Sequence, residues 1–120
     1  MTAKPHEISE QIAVVRALKA ARLRFFAVPN GGRRSRSEAL SLKRSGVVAG
    51  VPDLVIVTPP PVGGYVATAL EMKREGGRPS DLRPEQRVWL EDLRVLGWAC
   101  VVGYGARDAL GKLRALGYPV

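Results

Sequence analysis

The segment 51–57, which reads Val-Pro-Asp-Leu-Val-Ile-Val, constrains the fold more than any other part of the sequence. Its β-branched and aliphatic residues predict a strand, and one apolar enough to lie in the centre of its sheet. Such a sheet needs helices packed on its faces. Asp53 is the anomaly in this segment, because it places a charged side chain at the start of an apolar strand.

Apolar spacing predicts the remaining elements on both sides of this strand. Helices are expected over residues 5–21, 37–44, 84–96 and 106–116, and strands over 23–28, 51–57, 65–73 and 98–104. The proline-rich residues 58–64 can form only a surface connection, so the second and third strands are expected to pair as a long-looped hairpin. This order predicts an α/β or α+β fold with a mixed sheet.

Two of the predicted helices carry polar residues on faces that are otherwise apolar. In the first helix the predicted stripe comprises Ile8, Ile12, Val14, Val15 and Leu18, and Glu7 and Gln11 prolong it toward the edge of the core. Glu7 is equally well explained as a carboxylate favoured by the helix dipole. In the third helix Gln86 shares a face with Trp89, Leu90, Leu93 and Leu96.

Length and composition limit the classes of protein to which this chain can belong. The 120 residues, 46% of them apolar, fit one domain spanning 1–120. The single cysteine, Cys100, lies in an apolar run and is expected to be buried, which predicts a reducing, intracellular and cytoplasmic setting. No stretch approaches the roughly 18 apolar residues of a membrane span, and residues 1–10 lack a signal-peptide core.

The charge of the chain indicates a polyanionic partner. Nineteen lysines and arginines against eleven acidic residues give a net charge of +8, which favours nucleic acid, although such an excess also aids solubility. The densest basic segment follows the turn Asn30-Gly31-Gly32 and is expected to contact phosphates through side chains and backbone N–H groups. Its basic residues are Arg33, Arg34, Arg36, Lys43 and Arg44. The alternative is a solvated, flexible loop.

The strand over 65–73 carries the residues that suggest chemistry. Glu71 and Lys73 are two positions apart and share one face of the strand, whereas Leu70 and Met72 face the core. A hairpin of ordinary register brings Asp53 beside Glu71, where two like charges repel unless a cation lies between them. Oxygen ligands select a hard ion such as Mg²⁺ or Mn²⁺.

These residue types fit the hydrolysis of a phosphodiester. A metal ion generates hydroxide and neutralises the phosphate, and the adjacent lysine offsets charge in the transition state. Taken alone, however, an Asp followed by Glu-x-Lys is a common arrangement and also describes an ordinary surface hairpin.

Several blocks in order resemble a known family. Pro52-Asp53 with Glu71-Met72-Lys73 resembles the PD-(D/E)xK nuclease superfamily, whose core order is α-β-β-β-α-β and whose sheet is restriction-endonuclease-like. The chain is similar, more narrowly, to the VRR-NUC (virus-type replication-repair nuclease) domain from about Glu7 to the last helix. The blocks that carry this resemblance are Pro29-Asn30-Gly31-Gly32, Gly50-Val51-Pro52-Asp53-Leu54, Glu71-Met72-Lys73, Pro84-Glu85-Gln86 and Gly97-Trp98.

The resemblance implies a role for each matching residue. Asp53, Glu71 and the Met72 carbonyl would hold Mg²⁺ or Mn²⁺, and Lys73 would orient or activate the attacking water. Glu7 would reach the metal directly or through water. Gln86 would line the active site, and Asn30 with the glycines after it would lie near the DNA backbone.

The resemblance also implies an activity and partners. It predicts an endodeoxyribonuclease that acts on branched DNA such as flaps or four-way (Holliday) junctions in DNA repair, works as a homodimer and needs no organic cofactor. The sequence departs from the family pattern in the longer loop 76–83 and in Arg83, which stands where a helix-capping serine is usual. Two rivals stay open: a catalytically silent nucleic-acid-binding module of a replication or repair complex, and a hydrolase of small phosphoesters.

Overall fold

The computed structural model describes residues 5–29 and 35–120. Within these residues, four helices, one 3₁₀ turn and four strands follow in the predicted order, although the strands are shorter than predicted. The elements are α1 (Pro5–Ala20), β1 (Phe25–Ala27), α2 (Arg36–Arg44), β2 (Leu54–Ile56), β3 (Thr68–Lys73), the 3₁₀ turn Pro79–Asp81, α3 (Pro84–Val95), β4 (Ala99–Tyr104) and α4 (Ala106–Ala115).

The strands form one mixed sheet in the order β1-β2-β3-β4. β1 and β2 are antiparallel, β2 and β3 form the predicted hairpin with Leu54 opposite Leu70, and β4 runs parallel to β3. The segment 51–57 does supply a central strand. A mixed sheet flanked by helices, as the sequence predicts, is confirmed.

The main core lies on the sheet face that α1 and α4 cover. It contains Val14, Leu18, Leu54, Ile56, Leu70, Met72, Val101, Ala109, Leu113 and Tyr118. The predicted stripe of α1 was wrong for Ile8 and Ile12, which are 45% and 48% exposed. At 3.6 residues per turn these two residues lie roughly 200–240° around the helix from Val14. Glu7 and Gln11 do lie on the side of Val14 and are half-buried.

Helix α3 covers the opposite face of the sheet. Gln86 and Leu90 are buried, but Leu96 is 70% exposed, contrary to the prediction, because it is the C-cap residue beyond the last helical turn. Cys100 is only half-buried, not enclosed as predicted, and its Sγ lies 3.3 Å from the Leu90 carbonyl. Burial raises the pKa of this thiol. No described helix is long and apolar enough to span a membrane.

The outer edge of β4 is covered by two side chains of α4. Lys112 donates to the Val102 carbonyl at 2.8 Å, and the Tyr104 N–H donates to Asp108 Oδ2 at 2.9 Å. Lys112 and Asp108 pair with each other at 2.8 Å, and the ammonium of Lys112 lies 5.0 Å from the ring centre of Tyr104. The two side chains thus form hydrogen bonds with a backbone N–H and a backbone carbonyl of β4 that would otherwise face solvent.

Candidate active site

The hairpin brings the predicted acidic residues together at one end of the sheet. Asp53 directly precedes β2, and continuing the register from Leu54 and Leu70 places it opposite Glu71. Opposed residues of an antiparallel pair share a face, so both carboxylates lie on the side covered by α3. Asp53 Oδ2 accepts a hydrogen bond of 2.7 Å from the Met72 N–H.

The direction of the Met72 carbonyl follows from the alternation of backbone groups along β3. Gly105 N–H donates to the Lys73 carbonyl and Ala99 N–H to the Ala67 carbonyl, so odd-numbered residues of β3 direct their backbone groups at β4. Even-numbered residues therefore direct theirs at β2. The Met72 carbonyl lies on the same side as its N–H, which is the side of the Asp53 carboxylate.

Glu71 is a buried carboxyl in an unusual electrostatic setting. It is 3% exposed, and its pKa is raised to about 9, first by burial and then by the charge of Asp53 and a hydrogen bond with that residue. The charges of Lys73 and Arg83 lower the pKa in part. Two carboxyl groups in hydrogen-bonding contact hold one proton between them unless a cation takes its place. This donor set, made of oxygen atoms, fits a hard divalent cation.

Gln86 connects the strand residues to α3. Its Oε1 accepts from Lys73 Nζ at 3.0 Å, and its Nε2 donates to Glu71 Oε2 at 3.0 Å. Lys73 Nζ itself lies 3.8 Å from Glu71 Oε2. The buried amide therefore fixes the positions of an ammonium and a carboxylate that point at one site.

Gln86 also replaces the missing helix cap. Arg83 is the N-cap residue of α3 but provides no side-chain cap, and its N–H donates to Gln86 Oε1 at 2.9 Å. The glutamine side chain thus supplies the returning half of a capping box. The departure at Arg83 leaves the start of α3 as predicted, at Pro84.

Gly50 sets the distance between this helix and the strand that follows Asp53. Its φ is +89°, and a Cβ built on it would lie 2.7 Å from the backbone carbon of Glu85. Only glycine tolerates both conditions without movement of the chain. The turn before Asp53 therefore packs directly on the first turn of α3.

The remaining predicted site residues lie apart from this cluster or outside the described chain. Glu7 is half-buried in α1, and within residues 5–29 and 35–120 no group of three or more His, Cys, Asp or Glu side chains is placed to hold a metal. Arg36, Lys43 and Arg44 are exposed on α2, none of whose nine residues is buried. Asn30, Gly31, Gly32, Arg33 and Arg34 lie outside the described residues.

A separate groove of about 550 Å³ lies at the N-terminus of α4. Glu10, Glu75 and Asp108 line it with a single arginine, Arg107. An acidic lining repels phosphates, so this groove is a poor place for a nucleic acid, and the cluster at Asp53 is the better candidate.

Sequence reasoning identified the role of Arg83 only in part. The sequence marks it as an unusual cap and, with Arg74, Arg78 and Arg87, as one of four arginines that either extend the basic surface to DNA or are simply solvated; it did not predict that the charge of Arg83 acts on Glu71. Its position directly before Pro84 was the available signal, because the N-cap residue of α3 lies three positions before Gln86.

Comparison with known proteins identifies the family of this chain. The family model of the VRR-NUC domain matches residues 3–106. A solved structure of a VRR_NUC domain protein is similar over 98% of this chain and 90% of that one, with a TM-score of 0.70 and 27% sequence identity. No curated protein matches the chain. The chain belongs to the VRR-NUC family of nuclease domains.

Proposed function

We propose that this protein is a metal-dependent endodeoxyribonuclease that hydrolyses phosphodiester bonds of branched DNA. The observation that carries the proposal is the contact of half-buried Asp53 with buried Glu71, which one glutamine amide joins to Lys73. Family membership supports a nuclease that acts on DNA. We further propose the metal requirement, the branched substrate and the residue roles that follow.

The proposed ligands of the cation are the carboxylates of Asp53 and Glu71 and the carbonyl of Met72. Mg²⁺ or Mn²⁺ bound there would neutralise the two carboxylates and supply Lewis-acid chemistry at a phosphate. Glu7 lies on the helix that packs on the other face of the sheet, so we assign it a contribution through water. No organic cofactor is required.

Lys73 and Gln86 have distinct proposed tasks. Gln86 Oε1 uses one of the three N–H donors of Lys73 and thereby holds the ammonium beside Glu71. The ammonium orients the attacking water and offsets the negative charge that develops on the phosphate. Water adds across the P–O bond, which yields a phosphomonoester and a free hydroxyl.

The proposed DNA-binding surface comprises residues 30–34 and α2. Exposed Arg36, Lys43 and Arg44 supply positive charge from α2, and the net charge of +8 supports binding to a polyanion. We propose that the protein acts as a homodimer, since two sites in a fixed relation can cut both strands of a four-way junction.

A cleavage assay with four substrates tests the proposal. Labelled single-stranded, duplex, flapped and four-way-junction DNA would be incubated with the protein in Mg²⁺, Mn²⁺ or EDTA. We expect cleavage that requires the metal and is lost in Asp53→Ala and Lys73→Ala. Lys19→Ala, which removes an exposed lysine from α1, is the matched control and should cut like the wild type.

Two outcomes would contradict the proposal. Binding of every substrate without cutting in either metal would favour the silent nucleic-acid-binding module. Cutting that persists in EDTA or in Lys73→Ala would exclude the proposed site. Analytical ultracentrifugation of the same protein tests the homodimer separately.

A further inference from the structure

Arg83 is a charged residue at the rim of the site that the assigned roles leave unused. Its backbone N–H is bonded to Gln86 Oε1, the same atom that accepts from Lys73. The residue is therefore fixed by its backbone to the centre of the cluster, while its side chain extends from the first turn of α3.

The guanidinium of Arg83 is weakly held. Among the described residues, Arg83 forms an ion pair only with Glu85, and its Nε lies 3.4 Å from Glu85 Oε1. The side chains of Arg83 and Glu85 are 53% and 43% exposed. Exposed pairs of this kind contribute little to stability, so a stronger anion can replace the carboxylate. The planar guanidinium matches the oxygens of a phosphate in a two-point contact.

Packing fixes the backbone at Arg83 relative to the turn before Asp53, while the guanidinium itself stays free to reach an anion. Gly50 contacts the backbone of Glu85 so closely that no side chain fits between them, which holds the start of α3 against the turn leading to Asp53. The Arg83 N–H and Lys73 Nζ donate to the same oxygen, Gln86 Oε1, at 2.9 and 3.0 Å, and Nε2 of that amide donates to Glu71. Arg83 thus lies beside the place where the substrate phosphate would lie.

We propose that Arg83 binds a phosphate of the DNA backbone at the active site and so positions the strand for cleavage. This inference rests on the proposed nuclease function. The serine usual at this position in the resembled family could cap the helix but could not make a charged, two-point contact with a phosphate.

Arg83→Ser tests this role without removing the helix cap. Serine is a favoured N-cap residue, so the variant should keep the thermal midpoint of the wild type or raise it. We expect KM for DNA to rise about tenfold with kcat nearly unchanged. Arg94→Ser is the matched control, since Arg94 lies on the same helix, is 55% exposed and pairs with Glu91. It should leave KM unchanged.

Equilibrium binding separates this proposal from the nuclease function. Anisotropy titrations of Lys73→Ala protein in EDTA, with and without Arg83→Ser, need no cleavage. Loss of one phosphate contact should make the slope of log K against log salt shallower by about one. An unchanged slope and KM, or a fall in kcat at constant KM, would overturn the role. A wild type that binds but never cuts would overturn the nuclease instead.

Discussion

Gln86 Nε2 lies 3.0 Å from Glu71 Oε2, and the other end of the same amide accepts from Lys73. A single uncharged side chain from α3 therefore sets the spacing between Glu71 and Lys73. Without it, the only direct link between these two side chains would be their contact of 3.8 Å.

Gln86→Ala should damage both stability and catalysis. The change leaves the Arg83 N–H, Lys73 and Glu71 without their shared partner, and we expect a loss of about 1–3 kcal/mol in the free energy of unfolding. We expect kcat to fall roughly a hundredfold, because the ammonium is no longer positioned. Urea unfolding and single-turnover cleavage measure the two effects. Stability loss with an unchanged kcat would show that Gln86 is only a cap.

The raised pKa of Glu71 predicts a pH-dependent stability in the metal-free protein. The folded state binds the proton more tightly, with a pKa of about 9 against 4.5 for the free side chain. The contribution of Glu71 to the free energy of unfolding is complete below pH 4.5. It is lost as the pH rises toward 9, by about 1 kcal/mol for each pH unit. Urea melts in EDTA from pH 5 to 9 should show this decline.

Glu71→Gln removes this titration and should flatten the pH profile, whereas exposed Glu91→Gln should follow the wild type. Added Mn²⁺ should raise the thermal midpoint of the wild type at pH 8 but not that of Glu71→Gln. Parallel pH profiles for wild type and Glu71→Gln would contradict the assignment.

Gly50→Ala should be far more harmful than Gly46→Ala. Both glycines have positive φ, +89° and +105°, but only at Gly50 would the new Cβ meet backbone, at 2.7 Å from Glu85. We expect Gly46→Ala to cost about 1 kcal/mol from backbone strain alone. Gly50→Ala should cost more than this and reduce cleavage, because α3 must move away from Asp53. Equal losses in the two variants would show that this packing does not matter.

The basic residues of α2 should act on binding and not on chemistry. Lys43→Ala with Arg44→Ala removes two exposed charges, so we expect weaker DNA binding with a salt slope shallower by about two and an unchanged kcat at saturating DNA. Arg16→Ala with Lys19→Ala makes the same charge change on α1 and should alter binding less. Equal effects from the two pairs would mean that only net charge attracts DNA.

The sequence predicts much of this arrangement because local rules agree with the tertiary structure. Apolar periodicity predicted the order of the elements, and alternation along 65–73 predicted that Glu71 and Lys73 share a face while Leu70 and Met72 enter the core. Hairpin register then placed Asp53 opposite Glu71.

Apolar periodicity did not predict which face of a helix is buried, because that depends on which neighbouring element covers it. Ile8 and Ile12 are apolar yet exposed, since α1 turns only the side of Val14 and Leu18 to the sheet. The double use of Gln86, as cap and as bridge, brings the nearby Arg83 N–H together with Lys73 and Glu71, which lie on a separate element, β3. No spacing within one segment reports such a meeting.

The ion pair of Asp108 and Lys112 limits how copies of this chain can associate. Because the N–H of Tyr104 and the carbonyl of Val102 are already taken, another strand cannot pair along the C-terminal half of β4. If two copies met at this edge, they would do so through side chains and not through a shared strand ladder, and surface substitutions alone could then adjust their relative orientation.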